Sequence, residues 1–577
     1  MNTSTPRGIV KGLTNYGDAG FAAYLRRSFI KSMGYTNEAL AKPVVGIAST
    51  ASGFNNCHRA MPELVEAVKR GVLMAGGLPI EFPSMSLGEV FLAPTSLMFR
   101  NLMSMVTEEM ITAQPMDSVV LIGGCDKTVP AQLMGAASAN LPAVQVVTGP
   151  MMTGRHQGER LGACTDCRRF WAQYRAGKVS DREITDIESS LATTAGTCAV
   201  MGTASTMACL AEALGMMLPG TAAIPSVHAD RLRAAERSGA LAVALIDRPI
   251  RPQEILTPKA FENALRVLLS IGGSTNAIVH LTAIAGRVGH PIDLATLNRL
   301  SDSTPVLVDL KPTGQGYMED FFAAGGMSAV LARLKPLLHL DAMTITGETL
   351  GQRLAAEAEL GIWSDACMLR PLEDPIDTQG GLVALHGSLA PEGAILKRSA
   401  ADSRLFETEG RAVVFTDLDD LARRVDDPNL DINANDIMVL QNAGPTSPSG
   451  MPEAGYLPIP KKLAQAGVKD MIRISDARMS GTAFGTIVLH VAPEAALGGP
   501  LALVRTGDRI RLSVSQRTVD LLVDEATLAT RRAQWKAEQA EREASQARRG
   551  YRHLYLHHVL QAPKGCDFDF LQGHSPS

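Results

Sequence analysis

A thiol, a carboxylate and an amine stand side by side at Cys125, Asp126 and Lys127. They follow residues 119–122, a β-branched apolar run that predicts a buried strand. Two glycines separate the run from the three reactive groups, so the groups lie where the strand ends. In open α/β sheets, ligands bind at the carboxyl ends of the strands. The pattern therefore favours chemistry at this turn over packing in a core.

Two other cysteines are candidates for the same chemistry. Cys57 lies in a polar turn between a strand-like run, residues 44–48, and a helical pattern that begins at Met61. Cys198 precedes a long apolar stretch, and we expect it near the start of a helix, where the helix dipole favours a thiolate. A lone cysteine is more often a small buried hydrophobe, and for Cys57 this alternative stays open.

Cys164 and Cys167 form a CxxC pair. A tetrahedral zinc site would need a second CxxC or a pair of histidines, and neither accompanies this one. A redox dithiol would be expected in a thioredoxin-like setting, which is missing. The sequence leaves the role of this pair open.

Several oxygen-bearing side chains could bind a cation or move a proton. Glu89 is a lone acid among apolar and small residues, where a carboxylate is either paired or bound to a metal. Two glycine-rich loops, residues 442–453 and 475–485, each follow a strand-like run and could hold an anion with backbone N–H groups. They carry Glu453 and Ser480. Neither loop fits a nucleotide-binding motif, and a serine before a glycine is more often a helix cap.

The elements that must position these groups fall into two parts. Strand, helix and strand patterns alternate along the first part, which predicts an α/β fold with a parallel sheet. Prolines and glycines cluster at residues 371–391, and short strand-like runs follow. We therefore predict an N-terminal α/β domain, residues 1–375, and a C-terminal β-barrel-like domain with short helices, residues 376–577. The strand-like runs of the second part are residues 412–415, 437–440, 471–474, 486–491, 501–504, 510–514 and 519–523.

Composition excludes several classes of function. The 577 residues carry a net charge of −4, with no basic run typical of nucleic-acid binding. The uncharged stretches are interrupted by polar residues or prolines, so no membrane span is expected. The amino-terminal stretch has no apolar segment typical of a secretory signal, and we expect a cytoplasmic protein. Eight cysteines are too few for a disulfide scaffold of this length and suggest metal binding or catalysis.

Several long motifs resemble one enzyme family. They include GGCDKTVPAQLMGAASANLPAVQVVTGPM, TAGTCAVMGTASTMACLAEALGMMLPG, GGSTNAIVHL, GGLVALHGSLAPEGAILK, GPTSPSGMPE and SDARMSGTAFGTIVLH. Together they resemble the dihydroxy-acid and sugar-acid dehydratase family over roughly residues 40 to 520. The resemblance implies an N-terminal α/β domain, a C-terminal β-barrel-like domain, and an iron–sulfur cluster with Mg²⁺ between them.

The same resemblance implies roles for individual residues. It makes Cys57, Cys125 and Cys198 the cluster ligands, with 2Fe–2S favoured over 4Fe–4S. The implied Mg²⁺ ligands are Glu89, Asp126, Glu453 and Lys127, the lysine as a carbamate. Ser480 resembles the general base, and Thr482 with neighbouring N–H groups could bind the substrate carboxylate. The chain's ending is similar to that of pentonate dehydratases, in which a terminal histidine reaches the active site, and His574 is the candidate.

We therefore expect a hydro-lyase that dehydrates a sugar acid, L-arabinonate or a related pentonate, to the 2-keto-3-deoxy acid. The runner-up is the dihydroxy-acid dehydratase of branched-chain amino-acid synthesis. A non-enzymatic iron–sulfur sensor is a remote alternative, because a sensor would need the cysteines but not Glu453 or Ser480. The expected partners are the small-molecule substrate and further copies of the chain in a homodimer or homotetramer, with no nucleic acid and no membrane.

Overall fold

The computed structural model describes residues 6–13, 16–361, 363–544 and 549–573, without the side chains of 539–544. Within these ranges the strands occur in two large sheets and one short hairpin. No helix in the described part of the chain combines the length and the apolar character needed to cross a bilayer.

The strands of the chain, in order, are β1 Val44–Ser49, β2 Leu78–Pro83, β3 Ser118–Gly123, β4 Ala143–Val147, β5 Gly154–His156, β6 Glu159–Leu161, β7 Val383–Leu385, β8 Gly393–Leu396, β9 Glu407–Phe415, β10 Ile437–Leu440, β11 Arg473–Ser475, β12 Ile487–Ala492, β13 Arg509–Ser513 and β14 Thr518–Leu521.

The helices of the first part are α1 Ala19–Lys31, α2 Asn37–Leu40, α3 Met61–Met74, α4 Ser96–Ala113, α5 Thr128–Ala139, α6 Thr165–Arg175, α7 Asp181–Leu191, α8 Thr203–Ala213, α9 Ala229–Asp247, α10 Pro252–Ile255, α11 Pro258–Ser270, α12 Asn276–Arg287, α13 Leu294–Asp302, α14 Met318–Ala323, α15 Gly326–Leu334 and α16 Leu350–Leu360. Those of the second part are α17 Leu418–Arg424, α18 Lys461–Gln465, α19 Pro500–Leu503, α20 Glu525–Ala544 and α21 Gly550–His558.

The first sheet is parallel and has the order β2-β1-β3-β4. The central strands β1 and β3 are buried along their whole length, as expected for β-branched runs covered on both faces. Helices α3 and α9 pack closely together next to this sheet: a Cβ on Gly71 of α3 would lie 1.9 Å from the Glu236 carbonyl oxygen of α9. The main hydrophobic core of the described residues includes the apolar side chains of this sheet and extends through the helices of the first part.

The second sheet has eight strands in the order β14-β13-β9-β10-β11-β12-β8-β7. Its four middle strands, β9 to β12, are parallel, whereas the outer pairs are antiparallel. His386, just beyond β7, bridges to Thr518 of β14, so the two edges of the sheet meet. Closure hides the edge strands and gives the nearly closed barrel that the sequence predicted.

The predicted fold class is confirmed, while two local predictions were wrong. Residues 501–504 were expected as a strand but lie mostly in the short helix α19, which begins at Pro500. Proline suits the first position of a helix, and a four-residue apolar run does not distinguish a strand from a buried helical turn. Cys198 lies in a loop five residues before α8 rather than at a helix start. The predicted domain boundary after residue 375 stays a prediction.

Candidate functional site

The functional side chains lie where parallel strands end. In the first sheet, Cys57 follows β1, Glu89 follows β2, and the Cys125–Lys127 turn follows β3. In the second sheet, Glu453 follows β10 and the loop with Ser480 follows β11. Because the carboxyl ends of parallel strands share an edge, each sheet presents its polar loops on one side. These two edges face each other, and the site lies between them.

One half of the site is a cluster of acidic side chains, the acidic group. Carboxylate oxygens of Glu89, Asp126 and Glu453 all lie within 4.8 Å of one another. The Nζ atom of the fully buried Lys127 lies 3.0 Å from Glu89, 3.4 Å from Asp126 and 3.9 Å from Glu453. Asn276 also donates to Glu453 over 3.4 Å. Lys127 is thus a cation shared by the three carboxylates, whose oxygen atoms also form a set of the kind that could hold a metal ion.

Arg478 joins the two sides of the acidic group. Its guanidinium donates to Glu89 over 2.8 Å and to Glu453 over 2.7 Å. Burial alone would raise the pKa of Glu89, but the charges of Arg478 and Lys127 lower it well below its usual value. Burial and the charge of Glu89 raise the pKa of Glu453. Within this coupled pair, Glu89 is therefore the carboxyl that stays ionised most readily.

The other half of the site is a cluster of cysteine thiols, the thiol group. Cys57 and Cys125 lie close enough together for a hydrogen bond between their thiols, and both lie close enough to Cys198 for their ionised forms to raise its pKa. The Sγ atom of Cys164 lies 3.0 Å from that of Cys198. The hydrogen bond with Cys125, together with burial, raises the pKa of Cys57 well above its ordinary value. The hydrogen bond with Cys164 is the largest single influence on the pKa of Cys198 and lowers it, but burial together with the neighbouring negative charges gives a raised pKa.

The turn with Cys125 is held by a neutral histidine. The Nδ1 atom of His58 lies 2.7 Å from the Thr50 carbonyl oxygen, and its Nε2 accepts from the backbone N–H groups of Gly124 and Cys125. Burial lowers the pKa of His58 to about 4, which keeps Nε2 free to accept. A Cβ on Gly124 would lie 1.9 Å from the Thr148 hydroxyl oxygen, so only glycine fits there.

Ser480 lies in a turn and caps no helix. Its Oγ is 2.8 Å from the Thr482 hydroxyl and 3.4 Å from the Thr482 backbone N–H. Both groups can donate to the serine oxygen, and donors of this kind stabilise a developing alkoxide. The Thr482 carbonyl accepts from the Thr165 hydroxyl over 3.1 Å. The serine loop is thereby tied to the turn that carries Cys164.

The structure brings together all but one of the residues predicted for the site. The acids with Lys127 form one group, the three predicted cysteines form the other, and Ser480 lies with Thr482 in the facing loop. His574 lies outside the described residues. Sequence reasoning missed three contributors: Arg478, His58 and Cys164. Arg478 and His58 stand within or beside the motifs already noted, but nothing in their spacing shows which acids or amides they contact.

Comparison with known proteins decides the family. Residues 42–353 match the N-terminal domain described as dihydroxy-acid/6-phosphogluconate dehydratase, and residues 367–566 match the corresponding C-terminal domain. The chain belongs to this dehydratase family. Membership confirms the resemblance drawn from the motifs, and it identifies the chain as an enzyme of the dehydratase type.

Three relatives within the dehydratase family match nearly the full chain. An L-arabinonate dehydratase from Rhizobium leguminosarum bv. trifolii is 45% identical over 97% of this chain and 95% of its own length. An L-arabonate dehydratase from Azospirillum brasilense is 45% identical over 99% and 98%. A 6-deoxy-6-sulfo-D-gluconate dehydratase from Pseudomonas putida is 43% identical over 95% and 94%. All three names describe dehydratases of sugar acids.

Proposed function

We propose that the chain dehydrates a pentonate such as L-arabinonate to its 2-keto-3-deoxy acid. The observation that carries this proposal is the turn at Cys125, Asp126 and Lys127, which places a thiol of one half of the site directly beside an acid and an amine of the other. A site of this kind can act on two neighbouring oxygens of one small molecule. The sugar acids in the names of the relatives supply the substrate class.

An iron–sulfur cluster, with 2Fe–2S favoured, fits the thiol group. Cys57, Cys125 and Cys198 would hold it, because iron–sulfur clusters are bound by cysteine thiolates and these three side chains lie close together in the thiol group. When bound by three thiolates, such a cluster supplies a Lewis acid for a leaving hydroxyl.

Mg²⁺ fits the acidic group in the same way. Glu89, Asp126 and Glu453 offer hard oxygen ligands within one ion's reach. An ammonium cannot ligate a cation, so Lys127 would take part as a carbamate, whose oxygen can. Arg478 would then keep two of the acids oriented and ionised.

Ser480 is the proposed general base, and it takes the proton from C2 of the substrate. Its oxygen lies beside the Thr482 hydroxyl and backbone N–H, which offset the charge it carries as an alkoxide. Thr482 and the neighbouring N–H groups would bind the substrate carboxylate. His574 is proposed as a further substrate contact.

Two alternatives make different demands on the site. A branched-chain dihydroxy acid lacks the further hydroxyls of a polyol, so hydrogen-bond donors of a polyol site would stay unpaired. Such a site lowers kcat/KM for the analogue by about 10⁴-fold. A non-enzymatic sensor would need the thiol group alone, whereas the chain also positions three acids and Ser480. The cytoplasmic location and the homodimer or homotetramer stay predictions.

A substrate panel tests the proposal. Anaerobically reconstituted protein with Mg²⁺ is assayed for keto-acid formation with L-arabinonate, 6-deoxy-6-sulfo-D-gluconate and 2,3-dihydroxyisovalerate. We expect kcat/KM to be highest for the pentonate and lower by orders of magnitude for the branched acid. Comparable values for the pentonate and the branched acid would overturn the proposed substrate class. A clear preference for the sulfonated acid would overturn the pentonate assignment but keep the sugar acid.

A further inference from the structure

Cys164 is a fourth thiol in the group that sequence reasoning limited to three. Its Sγ lies 3.0 Å from that of Cys198. Two thiolates bound to one tetrahedral metal ion lie about 3.8 Å apart, because each metal–sulfur bond is about 2.3 Å long. Cys164 is therefore close enough to Cys198 for both to bind one iron after a shift of less than about 1 Å.

The position of Cys164 is set by its surroundings and not by chance packing. It immediately precedes α6, in a turn held by Asp166, which accepts from the Gly162 backbone N–H and from Lys311. Cys57 and Cys125 are buried, whereas Cys164 and Cys198 are partly exposed. Cys164 thus lies on the open side of the thiol group, from which a substrate would approach the cluster.

Cys167 differs from Cys164 although it stands in the same CxxC pair. Its Sγ donates to the Cys164 carbonyl oxygen over 2.6 Å, so it is directed back at its own turn. The Sγ atom of Cys164, by contrast, lies 3.0 Å from that of Cys198. The pair therefore contains one thiol that reaches the cluster ligands and one that supports the turn.

We propose that Cys164 binds, in the absence of substrate, the iron that Cys57, Cys125 and Cys198 leave open, and that substrate displaces it. This inference rests on the proposed iron–sulfur function. When Cys164 binds, its S–H bond breaks, the proton passes to water, a sulfur–iron bond forms and a water molecule leaves the iron. No electron is transferred. Substrate binding reverses the step, and the thiolate recovers a proton from solvent.

The serine loop provides a route for the displacement. The hydroxyl of Thr165, the residue after Cys164, donates to the Thr482 carbonyl oxygen. Thr482 is proposed to bind the substrate carboxylate. A shift of its loop on substrate binding would therefore move the turn of Cys164 through this hydrogen bond. A resting cap of this kind would protect the cluster from oxygen until substrate arrives.

Mössbauer spectroscopy of ⁵⁷Fe-reconstituted holoprotein tests the inference without relying on activity. Wild type, Cys164→Ala and the matched control Cys167→Ala are compared without substrate. We expect every iron in wild type and in Cys167→Ala to have four sulfur ligands. In Cys164→Ala, one iron should show a mixed sulfur and oxygen environment. Iron release to a chelator in air should be several-fold faster for Cys164→Ala than for the other two proteins.

The outcomes separate this inference from the proposed function. A cluster in wild type that already has a mixed-ligand iron, or one unchanged by Cys164→Ala, overturns the role of Cys164 and leaves the three-cysteine cluster standing. Failure of wild type to bind any cluster overturns both. If Cys164→Ala does not give the far-ultraviolet circular dichroism of wild type, Cys164→Ser is measured instead, and its serine oxygen should produce the same mixed environment.

Discussion

Ser480 shows how a weak acid can serve as a base. A serine hydroxyl gives up its proton only where donors or cations compensate the charge, and here Thr482 offers a hydroxyl and an N–H. We predict that Ser480→Ala retains iron and Mg²⁺ but loses about 10³-fold or more in kcat, since proton transfer by a placed base is worth about that much.

Exchange of the substrate C2 proton in D₂O is the decisive measurement for this variant. Loss of exchange together with turnover assigns Ser480 to proton removal, whereas exchange at the wild-type rate would contradict the role. Ser238→Ala is the matched control, because Ser238 is equally buried but lies in α9, where its hydroxyl donates to the Ala234 carbonyl. It should keep wild-type kinetics.

His490 makes the stability of the protein depend on pH. It is buried, and burial together with the charge of Arg478 lowers its pKa from 6.5 to about 3; the buried His280 is also near. The unfolded chain therefore binds a proton at this histidine below pH 6.5, whereas the folded protein binds it only near pH 3. Stability contributed by neutral His490 is complete above pH 6.5 and is lost as the pH falls towards 3.

The variant His490→Gln isolates this effect from the other titrating groups. Between pH 7 and pH 5, we predict that wild type loses about 2 kcal/mol more of its unfolding free energy than the variant does. Urea unfolding of both holoproteins at the two pH values measures the difference. Parallel losses in the two proteins would show that His490 is protonated in the folded state.

At the scale of elements, the carboxyl-terminal segment is attached by buried charge. Asp567 accepts from Arg287 of α12 over 2.6 and 3.0 Å, and both side chains are fully buried. Arg100 of α4 donates to the carbonyl oxygens of Gly565 and Cys566. These bonds hold the segment after α21 against the helices of the first part.

We predict that Asp567→Asn lowers the unfolding free energy by about 3 kcal/mol, because it leaves the buried Arg287 guanidinium with only the longer, 3.5 Å contact to Glu108 as a charged partner. Denaturant unfolding gives the magnitude, and faster proteolysis after α21 would show that the segment has detached. Glu409→Gln is the control: it breaks the exposed pair with Arg509 and should cost less than about 1 kcal/mol. Equal losses in the two variants would contradict the buried anchor.

The sequence predicted best those elements whose own residues form a clear pattern of apolar and polar positions. Strands β1, β3 and β10 were predictable because buried parallel strands are continuous apolar runs, and polar groups after such strands are expected at one edge. Helix α19 was mistaken for a strand because four apolar residues carry no period. Long-range contacts leave no local trace: the approach of Cys164 to Cys198 depends on how α6 and α7 return the chain to the site.

At the scale of the whole molecule, the acidic group connects the two sheets. Glu89 follows β2 of the first sheet and Glu453 follows β10 of the second, while Arg478, after β11, contacts both acids. A cation bound by Glu89, Asp126 and Glu453 would tie the two parts together, and binding to the folded protein alone raises its stability by mass action.

We therefore predict that removing Mg²⁺ from the holoprotein with EDTA lowers the Tm by about 2 °C, because Mg²⁺ at 100 times its Kd contributes about 2.7 kcal/mol and a chain of this length unfolds with an entropy of about 1.2 kcal/mol/K. Activity should disappear while the visible absorption of the cluster persists. Differential scanning calorimetry with and without EDTA measures the shift, and Glu453→Gln, which lacks the ligand from the second sheet, should show little or none. If the Tm of wild type is the same with and without EDTA, the three acids bind no metal ion between the two sheets. Lys127 and Arg478 alone would then balance the charge of the acids.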